Sequence, residues 1–297
     1  MLGDTLRLVR ILNTYDALTI RSIMRRFGLS ENSYTAASSR LLHLAKDEKI
    51  LEQNKIPNPF NMNSRPLLVY VVGPRGRELL RDHGDEVKRQ KFERGIGISE
   101  HNWHSLWVNE ILISAQLWAD ATPGVEIRGM MTDFDMKRDK RFPYRVTDDD
   151  GRTDRTEMDG LLGIKRDPNL GKDKQYLIEL ETGSNEPAAL RRKVKNLVLF
   201  EEHFKRVFDT NLFSGYLFFA TATYGIKQGS PRYENPDEHR KVILREIAVT
   251  LREMGAEDFQ PLFRVTAHPI DDTGLFTRPA WYLPGIFEPF HLFSDLS

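Results

Sequence analysis

The order in which apolar spacing switches between helical and strand periods constrains the fold more than any other feature of this 297-residue chain. A helical period runs over residues 103–118. Strand-like runs follow at 125–128, 158–164 and 175–181, and a helix over 187–207 separates them from a strong strand at 212–223. A helix at 236–254 and a strand at 260–267 complete the order α, β, β, β, α, β, α, β. Strands alternating with helices predict an α/β domain, in a chain that is α+β overall. Residues 132–157, dense in both signs of charge, read as an exposed loop. Its Asp148-Asp149-Asp150-Gly151 lacks the spaced ligands and distal Glu of an EF-hand.

The N-terminal part has a different pattern. Leu6, Val9, Ile11 and Leu12 recur with helical spacing, a second helix over 19–27 ends at Gly28, and Ser30 is a good N-cap for a third helix. Tyr34, Ala37, Leu41 and Leu44 share one face of that helix, leaving Ser33, Thr35, Ser39, Arg40 and His43 for another. Lys49-Ile50-Leu51, a Pro- and Asn-rich stretch at 54–66 and the strand 67–72 read as a hairpin with a long tip. Gly73-Pro74-Arg75-Gly76 then turns the chain into a helix. This is the pattern of a winged helix-turn-helix. Its third helix would enter the major groove of double-stranded DNA, with Ser33, Tyr34, Thr35, Ser39 and Arg40 near bases or phosphates. Arg25, Arg26, Lys46 and Lys49 would hold phosphates, and Arg65 would sit on the backbone from the wing. A protein-docking module is the alternative, because the third helix is poor in Arg and Lys. The polar stretch 82–102, with Gly95 and Gly97, divides an N-terminal domain (1–95) from a second (96–297).

Charge separates the same two parts. The chain has 43 basic and 43 acidic residues, but residues 1–95 hold 17 Lys and Arg against 11 Asp and Glu, leaving 26 against 32 beyond. A polyanion would therefore meet the N-terminal part first. The absence of cysteine excludes disulfides, thiolate zinc sites, iron–sulfur clusters and thiol catalysis. No apolar run approaches the roughly 20 residues of a membrane span, and the N-terminus has no secretory pattern, so a cytoplasmic protein is expected. P-loop, dinucleotide-binding and HExxH motifs are missing.

The chemistry-bearing residues lie in the second part. Glu110 falls within the stripe Trp103, Leu106, Trp107, Ile111, Ala115 and Trp118, where an ionised carboxylate needs a salt bridge, a cation or the stripe's wet edge. Asp159 lies in one expected strand, Glu179 and Glu181 share a face of the next, and Arg191, Arg192, Lys193 and Lys195 follow on a helix. This arrangement resembles the PD-(D/E)XK nuclease fold. The resemblance implies that Asp159 and Glu179 hold Mg2+ or Mn2+ for phosphodiester hydrolysis, with Glu110 and Glu181 supporting. Met158 stands where the pattern has Pro, and Glu181 where it has Lys, so Lys193 would have to supply the missing cation; otherwise it is a phosphate clamp or a salt bridge to Glu179 or Glu181. More narrowly, the stretch His104 to Glu110, Met158-Asp159-Gly160, Leu177 to Gly183, Arg191-Arg192-Lys193, Pro261 to Thr266 and Pro279-Ala280-Trp281 resemble the replication-relaxation family of plasmid and mobile-element proteins. That resemblance implies a DNA-binding protein in replication control or transcriptional regulation, with a degenerate nuclease-like domain. A metal-dependent DNA endonuclease and a protein-docking adaptor are the alternatives. The aromatics Phe276, Trp281, Tyr282, Phe287, Phe290 and Phe293 read as packing across the second domain or a homodimer, with a nucleotide-stacking surface as the alternative.

Overall fold

Asp4 accepts a hydrogen bond from the Arg7 amide at 2.8 Å, capping helix α1 (Thr5–Tyr15), which buries Leu8, Val9, Ile11, Leu12 and Tyr15 along one face. The computed structural model describes residues 4–56, 66–88, 100–138, 145–147, 153–155, 157–168, 172–183, 186–208, 212–221 and 235–293. The protein is mixed α/β and divides by contacts into two units, Met1–Ile113 and Ser114–Ser297.

In the first unit, β1 (Leu18–Thr19) leads into α2 (Ile20–Arg26), whose N-cap Thr19 accepts from the Ser22 amide at 3.1 Å. A 3-10 turn (Glu31–Ser33) opens α3 (Tyr34–Lys46). Ala37, Leu41 and Leu44 of α3 are buried at helical spacing, whereas Tyr34, expected beside them, is 40% exposed. Strand β2 (Leu51–Ile56) pairs antiparallel with β3 (Leu67–Val72), and β1 pairs antiparallel with β3 on its other side, giving the sheet order β1-β3-β2. Helix α4 (Pro74–Asp82) follows at once. Only glycine fits at position 73, because a Cβ there would lie 2.6 Å from the Lys49 carbonyl oxygen, so Gly73-Pro74-Arg75-Gly76 is the strand-to-helix turn its sequence suggests. The start of α5 (Glu100–Ala121) belongs to this unit too. Trp103 and Leu106 join Ala17, Ile56, Val69 and Val71 in one apolar cluster, and Asn109 Nδ2 donates to the carbonyls of Tyr15 and Ala17 at 2.6 and 3.0 Å. Residues 57–65, expected from the sequence to form the wing and including Arg65, and the stretch 89–99 lie outside the described residues.

The second unit is built on a five-stranded sheet ordered β10-β9-β8-β7-β4. β4 (Val125–Thr132), β7 (Gly160–Arg166) and β8 (Lys174–Glu181) pair antiparallel; β9 (Phe213–Ala220) and β10 (Phe263–Thr266) extend the sheet in parallel. Parallel neighbours need crossovers, supplied by α7 (Pro187–Phe208) and α8 (Pro236–Met254). Leu190, Val194 and Leu197 of α7 and Ile243, Ile247 and Leu251 of α8 close a core with Leu177, Tyr216, Phe218 and Phe263. The order α, β, β, β, α, β, α, β read from the spacing is therefore present. The stretch 132–157 departs from its reading as a loop: it contains α6 (Asp133–Arg138) and a hairpin of β5 (Arg145–Thr147) and β6 (Thr153–Arg155), strands too short and too charged to show an apolar period. Asp148 to Gly151 lie outside the described residues.

The edges of the main sheet are closed in different ways. On β10, Val265 bridges Tyr282, with both backbone hydrogen bonds at 2.9 Å. On β4 the register with β7 slips between Ile127 and Met130, where Gly129 has φ 115° and one extra residue bulges out. Beyond β10 come α9 (Gly274–Thr277), β11 (Pro279–Trp281) and β12 (Phe290–His291). Their aromatics pack inward. Trp118 stacks on Phe276 and Phe293 with ring centroids 5.2 and 4.7 Å apart, and the buried Trp281 meets Phe219 edge-on at 5.3 Å. Phe287, in contrast, is 93% exposed. Among the described residues no helix is long and apolar enough to cross a membrane.

Candidate functional site

Asp159, Glu179, Glu181 and Lys193 come together in the second unit because strand geometry and helix geometry agree. Residues 179 and 181 are two apart on β8 and so share a face. Asp159 immediately precedes β7 and sits in the ladder, its amide donating to the Ile178 carbonyl at 2.9 Å. Its carboxylate has a backbone task as well. β7 begins at Gly160, opposite Ile178, so the Leu180 amide lies beyond the end of that strand, and Asp159 Oδ2 accepts from it at 2.7 Å. Lys193 projects from α7, on the side away from the exposed Arg192 and Lys195, and its Nζ donates to Glu179 Oε1.

Burial sets the electrostatics. Glu179 and Glu181 are each 2% exposed. Burial, and then the neighbouring Asp159, push the Glu179 carboxyl well above the usual carboxylate range, against the opposing pull of Lys193. Burial would by itself depress the Lys193 ammonium, but the carboxylates of Glu179, Glu181 and Asp159 outweigh it and hold that ammonium above its ordinary value. Three carboxylates thus share one permanent cation. Glu179 Oε2 is buried without a hydrogen bond, the mark of a site with more negative charge than its partners neutralise.

As arranged, these residues do not form a three-carboxylate magnesium or manganese centre. Lys193 engages Glu179 Oε1, the Leu180 amide engages Asp159 Oδ2, and among the described residues no three Asp, Glu or His side chains gather closely enough to hold a metal ion. The cation that this cluster holds is the chain's own ammonium.

Glu110, expected to support the same carboxylates, is engaged in the first unit. Ser22 Oγ donates to its Oε1 and Arg25 Nη1 to its Oε2. The apolar stripe around Glu110 correctly signals a carboxylate in need of a partner, but Arg25 lies 85 positions away in sequence. Arg25 therefore has an acidic partner within the unit. Arg40 is similarly engaged, donating to Glu48 at 2.9 Å and to Thr5 at 3.3 Å. His43 lies between Asp47 at 2.6 Å and Glu48 at 3.0 Å. Of the other expected DNA contacts, Thr35, Ser39, Lys46 and Lys49 are exposed, and Arg26 and Ser33 are half-buried.

Glu246 is not among the site residues expected from the sequence. It lies at helical spacing from Ile243 and Thr250 inside the buried face of α8 and is 1% exposed, the same signal that marked Glu110. Arg191 Nε donates to its Oε2 at 2.5 Å, and Arg245 donates twice to its Oε1, at 3.0 and 2.8 Å.

Neither a protein family, a curated protein nor a solved structure matches this chain.

Proposed function

We propose that the chain binds double-stranded DNA through a winged helix within residues 1–113, and that the carboxylate–lysine cluster of its second unit is a structural ion pair on a nuclease-like scaffold. The element order α1, β1, α2, α3, β2, β3 and the antiparallel order β1-β3-β2 support the winged helix. The observation that carries the reading is the division of α3. One face is sealed by Ala37, Leu41 and Leu44; the other offers Thr35, Ser39 and Lys46 to solvent, with Lys49 just beyond the helix. Short polar side chains can approach base edges, and the two lysines can meet phosphates.

The nuclease-like scaffold rests on the order α, β, β, β, α, β and on the place of Asp159 and Glu179 within it. Asp159 completes a backbone ladder and Lys193 neutralises Glu179, so each has a structural task. Action in replication control or transcription of a mobile element rests on the resemblance to replication-relaxation proteins.

Fluorescence anisotropy of the full chain with labelled duplex DNA, across a salt series, tests the reading. Lys46→Ala/Lys49→Ala should weaken binding and flatten the slope of log K against log salt by about two, since each lost phosphate contact removes about 0.9. Unchanged affinity and slope in this variant would leave a protein-docking module as the better account of α3. Cleavage of the duplex in magnesium, abolished by Asp159→Asn, would overturn the structural account of the cluster.

A further inference from the structure

The exposed faces of α7 and α8 each carry cations at helical spacing. On α7, Arg191 and Lys195 are four apart with Arg192 beside them; on α8, Lys241, Arg245 and Arg252 follow at spacings of four and seven, all within about 40° around the helix. Lys195, Arg192, Lys241, Arg245 and Arg252 are exposed, and the Arg191 side chain is 39% exposed. The region beyond residue 95 is acidic overall, with 26 basic against 32 acidic residues, so these cations are concentrated against the background.

Glu246 shapes this face. Burial alone would raise its carboxyl, but hydrogen bonds from Arg191 and Arg245 outweigh burial and hold it below the ordinary value. One carboxylate therefore fixes two guanidiniums, one from each helix, and cancels only one of their two charges. Glu253, 3.5 Å from Arg191, and the exposed Glu238 offset part of the remainder, while Asp237 is paired with Arg240 at 3.1 Å. Lys195 and Lys241 have no ion pair among the described residues. Guanidiniums held in place lose little freedom on meeting a second anion. Cations repeating at about 6 Å and about 10 Å along α8 suit a line of charges better than a single small anion.

We propose that this α7–α8 face is a second contact for the phosphodiester backbone of duplex DNA, an inference that rests on the DNA-binding reading above. The contact is independent of sequence, because it consists of cations and has no group aimed at base edges.

The full chain has no cysteine, so Ala188→Cys, at an exposed position on α7, gives a unique attachment point for a benzophenone photocrosslinker. That label should crosslink to duplex DNA. In anisotropy, Lys195→Glu/Lys241→Glu should weaken binding about tenfold or more and flatten the salt slope by about two. The inference falls, and the N-terminal reading stands, if this variant binds like the unaltered chain with no crosslink from position 188 while Lys46→Ala/Lys49→Ala weakens binding. The opposite pattern, with crosslinking intact and the α3 variant unchanged, places binding on α7–α8 and overturns the winged-helix reading instead. A chain that binds no duplex at any salt overturns both.

Discussion

Lys193 and Glu246 answer one problem, a charge taken out of water, with opposite stoichiometry. Around Lys193 one ammonium serves three carboxylates; around Glu246 one carboxylate serves two guanidiniums. Replacing Lys193 by Met should cost about 3 kcal/mol at neutral pH, because the buried Glu179 and Glu181 lose their counter-charge. The loss should shrink on acidification. Glu179 already titrates above its ordinary range, so its protonated form is the one the folded state favours, and protonation relieves the repulsion as pH falls. Magnesium should leave the melting temperature of the unaltered chain unchanged and raise that of Lys193→Met, by replacing the missing charge. A magnesium-induced rise in the unaltered chain, removed by Asp159→Asn, would instead favour a resident metal. The sign at Glu246 is reversed. A carboxyl held below its ordinary value of 4.5 stabilises the fold above that value, and the contribution is lost as pH falls through the depressed one. Glu246→Gln should therefore lower the melting temperature by a few degrees at neutral pH and flatten its acid dependence, both readable by calorimetry.

At the scale of elements, two close fits decide the first unit. Gly73→Ala forces a Cβ onto the Lys49 carbonyl, both of them backbone constraints, and should cost about 1–3 kcal/mol by denaturant titration. The start of α5 is the second fit. A fragment of residues 1–113 should melt cooperatively, whereas 1–95 lacks Trp103, Leu106 and Asn109 and should bind a hydrophobic dye. The sequence pattern made the elements of the second unit legible because their apolar periods are long, and it brought Asp159, Glu179 and Glu181 near one another because strand period and antiparallel pairing are local rules. Lys193 was within reach of the same reasoning, one helix further on. The Glu110 partners were not, since nothing local ties α5 to Ser22 and Arg25 of α2. Nor were the ties of Arg40 to Glu48 and Thr5, which brace α3. Charged residues announce that they need partners; periodicity does not say which.

For the molecule as a whole, the net charge of zero hides a basic N-terminal part and a cationic face on α7 and α8 within an acidic remainder. Long-range attraction to DNA should then depend steeply on ionic strength although the chain is neutral overall. The bulge on β4 bears on a different collective property, the tendency of open sheets to grow by adding strands from other molecules. An edge strand with a regular row of free amides and carbonyls is a template for such growth. Here β10 is closed by its bridge to Tyr282, while β4 is kinked at Gly129, just after the exposed charges of Glu126 and Arg128. Deleting Gly129 would restore one-to-one pairing between β4 and β7 and straighten that edge, so concentrated solutions of the deletion variant should scatter light and bind an amyloid dye where the unaltered chain stays clear. The single surplus residue is then a solubility device, lending the sheet a ragged border that a neighbouring molecule cannot extend.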